Sequence, residues 1–374
     1  MGRPLGASSP GGSTDGTADT SGPGVKAARL VERRRPLELA DLPEPAPGPG
    51  EVVVQVEAEG ICRTDWHVWN GDWDWVGLTP TLPLVMGHEL GGTVVAVGPE
   101  VSRVRVGNRV TTPFHESCGR CGYCMTGRSN LCEDMQFLGL THDGGYARYA
   151  AIRNADFNCI KLPDSIDALS AAAIGCRYMT AFHAVTRQGR LAAGQWVAVH
   201  GAGGIGLSAV QIAAALGGRV IAVDIADAKL EKAKAEGALH GVNAQAGDVV
   251  AAIKEITGGG ADLAIGGIGV AALVDSAVLS LRKGGRLVQV GLTSQAEQGY
   301  VPMPLDHIIE TEIEIAGSVG NPHADYPRLL GLVETAVLQP ARIVGQTLPL
   351  EQASKVLEAM DAYETLGFSV ITGF

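Results

Sequence analysis

From Val25 to about Pro163 the chain reads as short β-branched runs broken by Gly, Pro and Asn. "EVVVQVEAEG", "GGTVVAVG" and "NRVTT" are runs of this kind, and the pattern predicts strands joined by long loops. Near Ala171 the period changes. Strands are expected at "QWVAVHG", "GRVIAVDI", "ADLAIGG", "RLVQVGL" and "IEIAGSVG", with a weaker sixth at "HGVN", residues 240–243. Helical stretches separate them, at "LSAVQIAAAL", "AKLEKAKAEGA", "DVVAAIKEI" and "ALVDSAVLSLRKG". Strands alternating with helices indicate a doubly wound parallel sheet. After about Gly320 a further helix, "YPRLLGLVETAVL", and the tail are expected to return to the first region. The predicted fold class is α/β, with a β-rich region at 25–170 and 318–374 and a doubly wound region at 171–317. Residues 1–24, "MGRPLGASSPGGSTDGTADTSGPG", have almost nothing to bury and are expected to be a disordered leader.

Composition narrows the function classes. At 374 residues the chain is long enough for two cores. A formal net charge of -11 argues against nucleic acid as a partner, because phosphate-backbone binding needs a basic footprint. The seven cysteines are odd in number and clustered, unlike a secreted disulfide framework, and reduced thiolates imply a cytoplasmic setting. The apolar stretch "VAVHGAGGIGLSAVQIAAALGGRVIAV" contains His200, Gln211 and Arg219 among many glycines. It therefore reads as strand–helix–strand and not as a membrane span.

Three patterns carry chemistry. In "HGAGGIG", Gly201, Gly203 and Gly206 have the G-x-G-x-x-G spacing, directly after a strand and opening a helix. That context permits a tight turn, close backbone approach to a pyrophosphate and a helix N-terminus aimed at phosphate. Asp224 ends the next strand, where a carboxylate can bind an adenosine ribose and repel a 2′-phosphate, which favours NAD over NADP; Lys229 can reach the same ribose. The second pattern is "CGRCGYCMTGRSNLC", with Cys118, Cys121, Cys124 and Cys132. Four thiolates this close can surround one tetrahedral zinc and leave no open position. The third is dispersed: Cys62 with Thr64, Asp65 and His67 in "GICRTDWH", His88 with Glu89 in "GHEL", and Cys176 in "GCRYMTAFHA". Cys62, His88 and Cys176 would make a two-thiolate, one-imidazole set with a fourth position free for water or substrate. Singly, each has a plain alternative, since buried cysteine is common and a His beside a turn is usually a satisfied surface or core residue.

Taken together, "C-x-T-D-x-H", "GHE", the four-cysteine lobe, "GGYARY" at Gly144, "LPD" at Leu162, Cys176 and the glycine turn recur in a known order. Over Val25 to Phe374 the chain resembles the zinc-dependent medium-chain alcohol dehydrogenases. The resemblance implies a GroES-like catalytic domain and a Rossmann domain with the active site between them. It implies two zinc ions per chain, one catalytic on Cys62, His88 and Cys176, and one structural in the lobe at 114–134. Glu89 resembles a carboxylate that can enter the coordination sphere, and Asp65 one that orients the ligating histidine. Thr64 would take the alcohol proton and pass it, through the nicotinamide ribose, to His67. NAD would meet Gly201, Gly203, Gly204, Ile205, Gly206, Asp224 and Lys229, together with Ile268, Gly269, Val290, Gly291 and Leu292 on later loops. A small alcohol, ketone or aldehyde is the implied partner, and a homodimer or homotetramer the implied assembly.

Some positions depart from the family. Asn108 stands where Asp is usual, His323 near a frequent Arg, and Phe368 where a phosphate-contacting Arg is common, which is expected to weaken NAD binding. Trp66, Trp69, Trp73 and Trp75, four of the five tryptophans, crowd "DWHVWNGDWDWVG". They can line an apolar pocket for bulky or aromatic substrates, or pack the loop itself. A thiolate at 176 argues for the alcohol branch over the polyol dehydrogenases, which commonly use a carboxylate there. A reading from another class, a zinc-braced NAD-binding sensor without turnover, would expect damage to the ligand set, and none is visible.

Overall fold

The structure is a computed structural model that describes residues 24–363 and 365–374; the expected leader, save Gly24, lies outside the described residues. The β-branched runs form the centre of a seven-stranded sheet. In order, it contains Ile160–Lys161, Arg109–Thr111, Leu90–Val97, Val52–Ile61, Phe368–Gly373 and Val344–Pro349, with Tyr149–Ile152 also paired to Val52–Ile61. Val52–Ile61 is buried along nearly its whole length, because both faces are covered. Each fully buried valine there is worth about 1.5–3 kcal/mol of transfer free energy. The tail returns as expected: Phe368–Gly373 pairs antiparallel with Val52–Ile61 through Ser369 opposite Ile61. A two-stranded ribbon, His115–Glu116 with Gln136–Phe137, brackets the four-cysteine loop.

The second sheet has six strands, all parallel. Its order is His240–Asn243, Arg219–Asp224, Trp196–His200, Ala261–Gly266, Leu281–Gln289 and Glu314–Gly317. Trp196–His200 is buried at every residue, as expected for a strand covered on both faces. Strand order reverses beside it, and ligands bind at such switch points in open α/β sheets. The glycine turn "GAGGIG" leaves the carboxyl end of this strand and enters the helix Gly204–Ala215. At Gly206 the spacing has a steric cause: a Cβ there would lie 1.7 Å from the Gly201 carbonyl oxygen.

One local expectation needs correction. The stretch "ALVDSAVLSLRKG" is helical only over Ala271–Leu279. Leu281, Arg282 and Lys283 belong instead to the strand Leu281–Gln289, with buried Leu281 opposite Ala261. The Ser280 hydroxyl donates to Ala277 O at 2.9 Å, and the following Gly284 and Gly285 disfavour helix continuation. Around Cys176, the helices Ala168–Ala173 and Met179–His183 are joined by a widened π-type turn, Ile174–Tyr178, with Gly175 far from helical geometry. Such breaks in a helix recur at functional sites. Among the described residues no helix is long and apolar enough to cross a membrane.

Candidate active site

The three dispersed ligand candidates converge. Cys62 ends the strand Val52–Ile61 and caps the helix Arg63–Asn70: its Sγ accepts the Thr64 N–H at 3.4 Å, while Asp65 Oδ2 accepts the Cys62 N–H at 2.7 Å. This reciprocal cap fixes the thiol at the helix mouth. The other Asp65 oxygen, Oδ1, lies 3.2 Å from His88 Nδ1, with both side chains buried. His88 Nε2 is buried and has no hydrogen-bond partner. One ligand atom each from Cys62, His88 and Cys176 falls within 4.8 Å of the others. Burial raises the Cys62 thiol, but the neighbouring Cys176 thiol and His88 imidazole more than reverse this and hold it well below the usual thiol range. The hydrogen bond to Cys62, and then burial, push Cys176 well above it. Two soft sulfurs and an oriented imidazole with an orphaned nitrogen suit a tetrahedral N/S metal such as zinc.

Glu89 is not among the converging atoms. Its Oε1 accepts from Cys176 N at 3.0 Å, Arg177 N at 3.1 Å and Arg177 Nε at 3.0 Å, and its Oε2 accepts from Arg177 Nη2. The carboxylate therefore anchors the turn that carries Cys176. Sequence reasoning passed over Arg177, although an arginine inside the apolar run "AAAIGCRYMTAF" is a signal that a buried counter-charge exists.

Thr64 and His67 are half-buried and lie three apart on one helix, so they share a face. His67 Nδ1 meets Asp72 Oδ2 at 2.7 Å, and its ring stacks on Trp73 with centroids 4.3 Å apart. Burial draws its pKa below 6.5, against the pull of Asp72. The tryptophans divide into two pairs. Trp66 and Trp69 are core residues, the first under the Arg63 guanidinium and the second donating from Nε1 to Arg35 O at 2.7 Å. Trp73 and Trp75 line a cleft of about 240 Å³ whose other wall includes Gly291, Leu292 and Thr293. Phe114, unnoticed in the sequence, lies edge-on to His88 at 6.3 Å.

On the sheet side, the helix Gly204–Ala215 begins at Gly203 without a side-chain cap, leaving its first N–H groups available to a ligand. Ile205 is half-buried in that first turn. The side chain of Ile268 reaches the turn, since a Cβ on Gly201 would sit 2.9 Å from its Cδ1. Gly269 packs on the backbone of Leu292 and Gly291 on that of Ile268, so the loops after two neighbouring strands meet there, with Val290 half-buried at the end of the second. Asp224 is more constrained than expected. Its Oδ2 accepts from Ala202 N at 2.8 Å and its Oδ1 from Ala226 N at 3.1 Å, which ties the second strand to the glycine turn. Lys229 is half-buried on the helix Asp227–Ala235.

The lobe gathers one Sγ each from Cys118, Cys121, Cys124 and Cys132 within 4.8 Å. The four cysteines are free, with Cys118 and Cys124 sulfurs 4.0 Å apart and Cys121 and Cys132 sulfurs 3.9 Å apart. Four thiolates about 2.3 Å from one zinc would be separated by about 3.8 Å, so the spacing fits. Backbone N–H groups of Cys124 and Glu133 pull Cys121 down to about 6. His323 faces this lobe: its Nδ1 lies 2.7 Å from Ser129 Oγ and its Nε2 3.1 Å from Asn158 Oδ1. Phe368 is fully buried, with the Arg177 guanidinium 3.9 Å above its ring.

Comparison with known proteins agrees with this arrangement. Residues 48–164 match the alcohol dehydrogenase GroES-like domain and residues 204–335 the zinc-binding dehydrogenase domain. An alcohol dehydrogenase of Geobacillus stearothermophilus is 37% identical over 337 residues, covering 90% of this chain and 96% of that one. Sorbitol dehydrogenase of Bacillus subtilis is 35% identical over 336 residues, 88% of this chain and 92% of that one. The solved alcohol dehydrogenase from Thermus sp. ATN1 superposes with a TM-score of 0.85 at 31% identity, covering 93% of this chain and 100% of that one. On sequence, fold and the convergence of its ligand candidates, the chain belongs to the zinc-dependent medium-chain alcohol dehydrogenase family of oxidoreductases.

Proposed function

We propose that the protein is an NAD-dependent alcohol dehydrogenase with two zinc ions per chain, one on Cys62, His88 and Cys176 and one on Cys118, Cys121, Cys124 and Cys132. The observation that carries this reading is the buried meeting of two thiols and an unpartnered imidazole nitrogen, one residue from an arginine that packs on the glycine turn. Zinc supplies Lewis acidity toward a hydroxyl or carbonyl, and the nicotinamide supplies the hydride chemistry. Asp65 orients His88. Thr64 takes the substrate hydroxyl proton, and His67, steadied by Asp72 and Trp73, releases it to solvent. Asp224 presents a carboxylate that disfavours a 2′-phosphate, hence NAD. Trp73, Trp75 and Leu292 form an apolar wall suited to bulky or aromatic alcohols and ketones. In this reading residues 25–170 and 318–374 carry Cys62, His88 and the four-cysteine lobe, and 171–317 carry Cys176 and the cofactor site. The open edge strand Glu314–Gly317 is where a second copy would pair in a dimer or tetramer, and the setting is cytoplasmic.

Similarity to a sorbitol dehydrogenase supports a second reading, a polyol dehydrogenase. Purified protein with NAD and a panel of aliphatic, benzylic, cyclic and polyol substrates separates the two, followed as NADH formation with and without chelator. Chelator-sensitive oxidation with benzylic alcohols ranked first supports the main reading, and sorbitol ranked first supports the second. No turnover of any of these by zinc-loaded protein would favour a non-catalytic sensor.

A further inference from the structure

Arg177 is only 5% exposed, in a segment that is otherwise apolar, and a buried cation needs a specific reason. Glu89 neutralises it, with Nε and Nη2 donating in parallel to the two carboxylate oxygens. Its Nη1 donates to nothing among the described residues. The stem runs beneath the glycine turn: a Cβ on Gly204 would lie 2.5 Å from Arg177 Cδ, so the missing side chain at 204 is what admits the arginine. The Phe368 ring fixes the guanidinium plane from one side, 3.9 Å away. Beside it begins the 12-residue helix Gly204–Ala215, uncapped by any side chain, whose N-terminus carries a partial positive charge. One carboxylate thus faces a full cation and a positive helix end, an arrangement that favours a further anion beside the turn.

We propose that Arg177 is the side-chain cation that meets the pyrophosphate of the dinucleotide at the Gly203–Gly204 turn, with Glu89 as the residue that positions it. The assignment rests on the nicotinamide reading above. Glu89 also accepts the Cys176 N–H at 3.0 Å. One buried carboxylate therefore ties a candidate metal ligand to the phosphate contact, and Phe368, which stands where the family commonly has an arginine, is the platform under it.

The test uses zinc-loaded full-length protein and binding alone. NADH is titrated by fluorescence, and ADP-ribose and adenosine are measured as competitors. Arg177→Gln is expected to weaken NADH and ADP-ribose about ten- to hundredfold, the worth of a charge-assisted hydrogen bond, while adenosine stays within about twofold. Arg177→Lys should recover only part, because a stacked, bidentate site suits a planar fork. The double variant R177Q/E89Q removes both buried charges together, guards against misfolding, and should show the same selective loss with its zinc content unchanged. Unchanged NADH and ADP-ribose affinity in zinc-loaded R177Q, or an equal loss of adenosine, would overturn the assignment. Wild-type protein that binds neither NADH nor NADPH would overturn the dehydrogenase reading, and this assignment with it.

Discussion

The two cysteine sites are built in opposite ways. Cys118, Cys121, Cys124 and Cys132 come from a single loop, and backbone N–H groups cradle their sulfurs: Cys118 N donates to Cys132 Sγ at 3.2 Å and Cys121 N to Cys118 Sγ at 3.3 Å. Cys62, His88 and Cys176 come from three distant segments, all buried, and each is fixed by carboxylates, Asp65 for the first two and Glu89 for the third. The lobe offers four candidate ligands from one loop with little apolar content, a set that a single metal would close. The centre offers three and depends on the packing of both sheets to bring them together. A local site can be assembled by its metal, whereas a dispersed one has to be assembled by the fold.

This contrast is open to direct attack. Cys176→Ala should abolish turnover by on the order of 10³-fold and release one zinc, with the melting temperature nearly unchanged; an equal loss of fold and activity would erase the distinction. Thr64→Val should lower kcat by about 10²-fold while both zincs remain, which metal analysis beside steady-state kinetics would check. Cys124→Ser should do the reverse of Cys176→Ala. It should lose the lobe zinc and about 3 kcal/mol, roughly 5 °C in melting temperature, while kcat of the surviving folded enzyme stays within about threefold.

A smaller effect concerns acid. His115, at the root of the lobe, is held neutral by burial, its pKa lowered to about 4, with a lesser push from His183. In the unfolded chain it titrates near 6.5. Below that pH the unfolded state binds the extra proton, so stability is lost as pH falls, by about 2 kcal/mol between pH 7 and 5. Urea midpoints at the two pH values, for wild type and His115→Gln, would measure it; the variant should show a shallower slope.

Much of this architecture was readable from periodicity. The six parallel strands, including the short "HGVN", and the return of the tail follow from alternation of apolar runs and turns. The four-cysteine cluster follows from residue type and spacing, and the dispersed cluster from the order of motifs on which the family resemblance rests. What stayed hidden depended on packing across distant segments. The Glu89–Arg177 pair joins two segments and leaves no periodic trace. The four tryptophans share one composition but have two fates, Trp66 and Trp69 in the core and Trp73 and Trp75 on the cleft, because the helix Arg63–Asn70 ends at Gly71 and the later pair lies beyond it. The helix before Leu281 was overextended because "SLRKG" has acceptable helix formers, and strand pairing with Ala261 overrode them.

The pairing of Phe368–Gly373 with Val52–Ile61 has a consequence in time. A ribosome delivers the six strands of the parallel sheet by Gly317, so that sheet can close while synthesis continues. The first sheet, begun earliest, leaves the Glu59–Ile61 end of Val52–Ile61 unpaired on one edge until the strand Phe368–Gly373 emerges, its Val52–Gln55 end being paired already with Tyr149–Ile152. The strand end that leads into Cys62 is therefore among the first made and the last to be enclosed, so the parallel sheet can form before Cys62, His88 and Cys176 are brought together.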